Sequence, residues 1–360
     1  MIKKYKVIGV MSGTSIDGAD LAYMETDGEN YVKNITGKTY YYNKKYRNNF
    51  KKFIKLFKKN PLISLTKIDF IVSIKMLKII KKFIKENEIK KIDYIGFSGQ
   101  TILHKPDKKI SVQLGSPHFL AKNLKKRIVS NFREKDILNG GQGAPIATFY
   151  NKYLSKKLNN NNLFVNIGGV SNICFCKEKK LIAFDTGPGN SLIDDFLTFK
   201  INKSFDYNGN MAFKGKTNKK IIKEFLNDNY FKKKYPKSLD REHFHIFLNK
   251  VGRLNIFDAI NTLTMMTVHS IIKGIDLLNI KVNNIILTGG GRKNLFIIKN
   301  LELILKKKVI NIDSLNFDGD LIEAQAFAYI AIRSIKNLPL SIKSTTGVKK
   351  PISGGNIFEY

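Results

Sequence analysis

The sequence predicts an α/β protein built of two related lobes. Three observations predict it. Apolar runs of strand length alternate with amphipathic stretches of helical length along both halves of the chain. The 360 residues suit two domains of ordinary size. Three apolar strands, well separated in the chain, each run into a glycine-rich turn.

The elements follow in order. Lys6-Val-Ile-Gly-Val-Met and Ala19-Asp-Leu-Ala-Tyr-Met read as two strands around the turn Ser12-Gly-Thr-Ser-Ile-Asp-Gly, with a third strand near Gly37–Tyr42. Helical spacing predicts helices over 46–59 and 64–87. Ile92–Phe97 is a short buried strand, 100–113 a hairpin-like stretch, and 118–124 a short helix. Arg127–Phe132 is a strand leading into the Gly-rich loop Arg133-Glu-Lys-Asp-Ile-Leu-Asn-Gly-Gly-Gln-Gly-Ala-Pro, and the change of lobe is expected here. The expected lobes are 1–130 and 131–339, with the tail 340–360 packing back on the first. A helix over 146–158 precedes a meander of strands at 163–169, 173–177 and 181–185, then a helix from about Ser191. The middle, 207–235, is polar and contains glycine. Helices over 258–279, 294–305 and 323–338 and a strand at 284–288 complete the second half, and the tail ends in a late strand.

Composition limits the function classes. At 43% hydrophobic residues the chain can bury a sizeable core and is globular rather than disordered. It lacks the run of about 18–20 apolar residues that a membrane helix needs, and its N-terminus reads as a strand, not a secretory signal. Cys174 and Cys176 share one face of a strand, a poor geometry for a disulfide, and fit a reducing cytoplasm. Lys and Arg number 63 against 29 Asp and Glu, a formal net charge of +34. That balance fits a nucleic-acid or membrane-surface protein. However, the lysines are spread along the chain beside Ile, Leu and Phe, together with abundant Asn and Ile, as compositional bias leaves them. No specific nucleic-acid partner and no membrane partner are expected.

Three turns carry the first chemistry. In Ser12-Gly13-Thr14-Ser15-Ile16-Asp17-Gly18-Ala19, small and hydroxyl residues let backbone N–H groups close around a phosphate. Asn166-Ile-Gly168-Gly169 ends another strand, and Thr288-Gly289-Gly290-Gly291-Arg-Lys-Asn294 runs from strand to helix. The first alone reads as an ordinary hairpin turn, and each of the other two is equally well explained as a turn or packing requirement. Three in this order predict a nucleotide site between two lobes. Phe184-Asp185-Thr-Gly-Pro-Gly-Asn delivers a carboxylate into a sharp turn. A single Asp-Thr-Gly lacks the second carboxylate of an aspartic protease, and capping of the following helix is the alternative reading. Gly209-Asn-Met-Ala-Phe-Lys-Gly215-Lys-Thr has one residue too many for a P-loop and no preceding apolar strand. The five histidines show no metal-ligand spacing, so no protein-held metal is expected.

Taken together, Val7-Ile-Gly-Val-Met-Ser-Gly-Thr-Ser-Ile-Asp-Gly, Gly99-Gln-Thr-Ile, Asn139-Gly-Gly-Gln-Gly-Ala-Pro, Asn166-Ile-Gly-Gly, Phe184-Asp-Thr-Gly-Pro-Gly-Asn, Gly289-Gly-Gly-Arg-Lys-Asn and Glu323-Ala-Gln-Ala-Phe-Ala resemble the signatures of the anhydro-N-acetylmuramic acid kinases, in family order. Pro236-Lys-Ser-Leu-Asp-Arg-Glu and Thr346-Gly-Val-Lys-Lys-Pro resemble further family stretches, so the resemblance runs from about Val7 to Pro351. It implies a two-lobed, actin-like (ribonuclease H-like) ATPase fold with ATP and Mg²⁺ in an interlobe cleft. It implies hydrolytic opening of 1,6-anhydro-N-acetylmuramic acid with phosphorylation of O6, in a cytoplasmic homodimer that recycles cell-wall fragments. Asp185 falls on the family's general base, and Glu323 is a second carboxylate to orient water or a hydroxyl. Gln100, Arg133 and Gln142 fall on the sugar side; Asp17 and Asp20 are candidates for indirect Mg²⁺ contacts. Ser98 stands where the family usually has His, and Asn131 where it usually has Asp. Another actin-like sugar or carboxylate kinase, and a basic nucleic-acid-binding protein, are the alternatives.

Overall fold

A computed structural model describes residues 2–13, 16–60, 64–159 and 161–360. Contacts divide the chain into two compact units: 1–153 with 320–343 and 348–360, and 154–319 with 344–347.

The first unit is built on β1 (Tyr5–Ser12), β2 (Gly18–Thr26), β3 (Val32–Tyr41), β4 (Tyr94–Lys105), β5 (Ile110–Leu114) and β6 (Ile128–Ser130). The order is β6-β4-β1-β2-β3, with β5 folded back on β4. β1, β2 and β3 are antiparallel neighbours; β4 runs parallel to β1, and β6 parallel to β4. The second unit holds β7 (Asn162–Ile167), β8 (Val170–Lys177), β9 (Lys180–Pro188), β10 (Asn284–Thr288) and β11 (Ile310–Asn311), in the order β11-β10-β7-β8-β9. Here too the first three strands are an antiparallel meander and the last two join parallel. The same plan occurs twice, which is the duplicated ribonuclease H-like α/β architecture that the sequence predicts. β12 (Asn356–Phe358) pairs antiparallel with β6, so the tail closes the edge of the first sheet.

Residues 131–153 and 320–339, expected in the second lobe, belong by contact to the first unit. The cause is the Ile322–Ile335 helix, which lies directly on β1 and β4. A Cβ at Gly9 would stand 1.8 Å from Ala324 O, and one at Gly96 2.2 Å from Phe327 O. Two strand glycines therefore admit the helix to backbone contact, and its alanines complete the fit.

Each unit buries its own core. Ile8, Val10, Val72, Met76, Phe83, Phe97 and Ile128 anchor the first, and Val165, Phe175, Phe184, Leu263, Met266 and Leu287 the second. At roughly 25 cal/mol per Å² of apolar surface removed from water, these side chains dominate the favourable energy of folding. The Ile256–Leu278 helix crosses the second sheet, with Gly274 against the Thr186 methyl.

The middle of the chain is structured. It carries short helices at Lys219–Leu226, Asn229–Lys232 and Ile246–Val251. They bury Ile222, Phe225, Tyr230 and Phe247, but are too short for helical periodicity to show in a polar window. β4 also runs further than expected, through Gln100 to Lys105, with a left-handed residue at Gly99. The stretch from Gly209 to Gly215 is no phosphate loop. The Asp206 carboxylate accepts from Met211 N and Ala212 N, and Asn261 Nδ2 donates to Ala212 O and Gly215 O. Cys174 and Cys176 are buried and free, their sulfurs 3.7 Å apart on β8.

Candidate functional site

In the first unit the turn between β1 and β2 is braced by side chains. Ser12 Oγ donates to Gln100 Oε1 (2.5 Å) and lies 2.9 Å from the Tyr42 hydroxyl. Gln100 Nε2 donates to Gly13 O at 2.8 Å. Ser12 N donates to Ser98 Oγ, and Ser98 Oγ to Gly99 O. Ser98, where the family usually has His, therefore ties β4 to the turn. Arg47 Nη2 donates to Asp17 Oδ1 at 2.7 Å, and Tyr42 N to Asp17 O. Ile16 is buried at a left-handed φ of +60°, and a Cβ at Gly18 would stand 2.6 Å from Tyr40 O. Thr14 and Ser15 lie outside the described residues. Ala19 sends its side chain into the core, so only its backbone is available at the turn.

The structure thus gives Gln100 a use the sequence did not show. Its side chain is 2% exposed, and both ends of its amide hold the turn. Arg133 and Gln142 belong to one substructure after β6, where the short helix Glu134–Leu138 replaces the first part of the expected loop and Arg133 stands at its N-terminus. Arg133 Nη1 donates to Gly143 O at 2.7 Å, and the buried Asp136 carboxylate accepts from Gly143 N. Asn131 takes a left-handed φ of +59°, which asparagine tolerates well, and its Nδ2 donates to Glu134 Oε2. His104 lies against this loop. Burial, and then the Arg133 charge, push its imidazole down to about 3, so it is neutral near pH 7. Glu323 stands in the first turn of the Ile322–Ile335 helix.

In the second unit three turns pack backbone to backbone. Asn190 N donates to Gly168 O at 2.7 Å, while Gly189 N and Ser191 N donate to Gly169 O. Added Cβ atoms would stand 2.2 Å from Gly168 O at Gly189, 2.4 Å from Asn166 Oδ1 at Gly289, and 2.3 Å from Ile167 Cγ2 at Gly291. Gly290 is different: it is exposed, and a Cβ there would meet only Asn190 Nδ2, at 3.8 Å. Neither crowding nor a left-handed φ requires glycine at 290, and its backbone is left uncovered. Asn294 accepts from Phe296 N and Ile297 N and caps the Leu295–Leu305 helix, so its carbonyl oxygen serves the fold. Arg292, 2% exposed, clamps the glycine turn. Its Nε donates to Asp313 Oδ2 (2.9 Å) and its Nη1 to Gly289 O (3.1 Å).

Asp185 sits on β9 beside these turns, 6% exposed. It does not cap the next helix: Asn190 holds that position, and Asp185 Oδ2 instead accepts from Leu239 N at 2.9 Å. Asp185 N donates to Lys237 O at 3.0 Å, and the Tyr230 hydroxyl donates to Asp185 O at 2.5 Å. Thr186 Oγ1 bonds Ser171 O, and Thr267 Oγ1 bonds Gly189 O, so the strand end is fixed on both sides. Sequence reasoning assigned no role to Tyr230, Lys237, Asp136 or Arg292. The stretch beginning at Pro236 did resemble the family, which was a signal for Lys237.

Among the described residues no group of three or more His, Cys, Asp or Glu could hold a metal ion. Asp17 pairs with Arg47, and Asp20 accepts from Thr39 Oγ1 at 2.6 Å. No helix among the described residues is long and apolar enough to cross a membrane.

Comparison with known proteins agrees with the motifs. The family profile described as anhydro-N-acetylmuramic acid kinase matches residues 5–360. The anhydro-N-acetylmuramic acid kinase of Brucella canis is 36% identical over 366 residues, covering 97% of each chain. That of Zymomonas mobilis is 36% identical over 361 residues, covering 97% of this chain and 98% of its own. Among solved structures, the activator of the 2-hydroxyisocaproyl-CoA dehydratase from Clostridium difficile with bound ADPNP aligns with a TM-score of 0.46 at 10% identity, over 92% of this chain and 96% of its own. Matched almost end to end by the family profile and by relatives at 36% identity, this chain belongs to the anhydro-N-acetylmuramic acid kinase family.

Proposed function

We propose that the chain is a cytoplasmic kinase that uses ATP and water to convert 1,6-anhydro-N-acetylmuramic acid into N-acetylmuramic acid 6-phosphate and ADP. The observation that carries this reading is Asp185: one carboxylate, nearly buried, held at the end of a strand amid glycine turns, in a chain that matches the kinase family over its length. In this reading Asp185 takes a proton from water as the water oxygen bonds to C1. The C1–O6 bond breaks, O6 takes the γ-phosphoryl group, and ADP leaves. General-base assistance of this kind is worth about 10²–10⁴-fold in rate. Glu323 would orient the water or a sugar hydroxyl.

The nucleotide would lie on the Ser12–Ala19 turn and on Gly168, Gly169 and Gly289–Gly291. The open backbone at Gly290 supports a contact there, and the braced turn at Gly13 supports a phosphate nest. Asn166 would act through its carbonyl oxygen, 3.4 Å from Thr288 Oγ1 and at the Gly289 turn, by shaping that turn. Arg133 and Gln142 would meet the sugar, the guanidinium by charge-assisted bonding to the lactyl carboxylate. The engagement of Gln100 favours a role in holding the phosphate turn over direct sugar contact. Mg²⁺ would arrive with the nucleotide as its counter-ion. Homodimerisation is part of the reading, on the family resemblance. The nucleic-acid alternative rests on charge alone.

ATP consumption with the anhydro-muramyl sugar, N-acetylmuramic acid, N-acetylglucosamine and glycerol, with product mass, tests the reading. It expects turnover of the anhydro sugar and, in ¹⁸O-labelled water, one label at the anomeric oxygen. An unlabelled product would sink the hydrolytic mechanism.

A further inference from the structure

Asp185, Tyr230 and Lys237 close a ring of three hydrogen bonds. Asp185 N donates to Lys237 O (3.0 Å), Lys237 Nζ donates to Tyr230 O (3.1 Å), and the Tyr230 hydroxyl donates to Asp185 O (2.5 Å). Each residue donates to one neighbour and accepts from the other. Lys237 is 6% exposed, and its ammonium lies 4.4 Å from the centre of the Tyr230 ring. Leu239 N, two residues on, donates to the Asp185 carboxylate itself.

A buried lysine is costly unless its charge does something. We propose that Lys237 is a positioning residue for Asp185: locked over Tyr230, it fixes the Asp185 backbone through the ring and brings a buried cation into the surroundings of the base. The proposal rests on the reading of Asp185 as the base. Burial and the Lys233 charge push the Lys237 ammonium down to about 8, and the Asp185 charge opposes that shift. Burial, with the same carboxylate, holds the Tyr230 hydroxyl well above its ordinary value, so it stays a donor. Elsewhere around Asp185, β8 faces it with Asn172, and the Ile256–Leu278 helix meets the strand through Ser270 and Gly274. By linkage, a cation that favours the carboxylate lowers the pH at which the base becomes active. Removing it moves the acid limb of the rate profile upward.

The test compares Lys237→Met and Lys237→Arg with the unmodified enzyme, using the anhydro sugar at saturating ATP. Lys237→Met should lower kcat about tenfold or more, with little change in KM, and raise the acid limb of kcat/KM by about one pH unit. Lys237→Arg, which keeps the charge, should restore the position of the acid limb. A folded Lys237→Met enzyme with an unmoved acid limb overturns the proposal, as does a loss confined to the sugar KM. A second readout does not depend on turnover. In protein carrying ¹³C at lysine Cε, the Lys237 signal, assigned by its loss in Lys237→Arg, should titrate at lower pH in Asp185→Asn than in the unmodified protein. No shift overturns the charge pairing and decides the matter if Lys237→Met does not fold. If that signal shifts while Asp185→Asn keeps normal kcat, the pairing stands and the assignment of the base fails.

Discussion

The two sheets have the same strand order, yet their first turns are held by different means. Between β1 and β2 the turn is longer, and side chains brace it: Ser12, Gln100, Tyr42 and Arg47. Between β7 and β8 only Gly168 and Gly169 intervene, and the bonds come from the backbone of 189–191. The third strands also differ. β3 carries no carboxylate, whereas β9 carries Asp185. One plan used twice has therefore diverged. The first copy presents a turn whose shape depends on a few polar side chains. The second presents crowded glycines and a carboxylate locked in place.

The largest effect should come from the feature that only the second copy has. Asp185→Asn keeps the size and most of the bonding but cannot accept a proton. We expect kcat to fall by roughly two to four powers of ten, with nucleotide and sugar binding little changed, as measured by steady-state kinetics and calorimetric titration. Near-normal kcat would move the base to Glu323 and remove the functional contrast between the sheets.

The glycines give the next test, a pair with opposite outcomes. Gly189→Ala drives a methyl against Gly168 O, and should cost about 1–3 kcal/mol of stability in urea unfolding. Gly290→Ala meets open space, and should leave stability within about 0.5 kcal/mol while weakening ATP binding. Unchanged ATP affinity in Gly290→Ala would show that the nucleotide lies elsewhere.

For the first copy, Gln100→Met removes the donor to Gly13 O and the acceptor from Ser12. Loss of such buried bonds costs about 1–3 kcal/mol. If the turn cradles phosphate, the KM for ATP should rise about tenfold, with a smaller change for the sugar. A rise confined to the sugar would return Gln100 to the sugar wall. The smallest effect expected concerns the +34 charge. Binding to DNA or RNA should be weak, indifferent to sequence, and lost steeply between low and physiological salt, since counterion release would drive it. Sub-micromolar binding at physiological salt in a filter assay contradicts this.

Much of this was legible in the chain. The long helices and both meanders show in apolar periodicity, because one buried face imposes its spacing on the residues that cover it. The glycines at 189, 289 and 291 show because crowding leaves only one residue type there. The partners of Asp185 were not legible. Tyr230 lies 45 residues away, and nothing local links a lysine in a polar stretch to a strand end far upstream. The helix at 322–335 was legible as a helix but not as part of the first unit.

The sequence by itself determined the α/β class, the duplicated alternation, the order of the turns and the family, since these depend on local pattern and on residue types that turns demand. Only the tertiary structure decided that Gln100 braces the first turn, that Asn294 caps a helix, that Asp185 accepts from Leu239 N, and that Gly9 and Gly96 draw the 322–335 helix into the first unit. The physical reason is common to the polar three. A buried polar group must find a partner, and which partner it finds depends on what folding brings within about 3 Å of it.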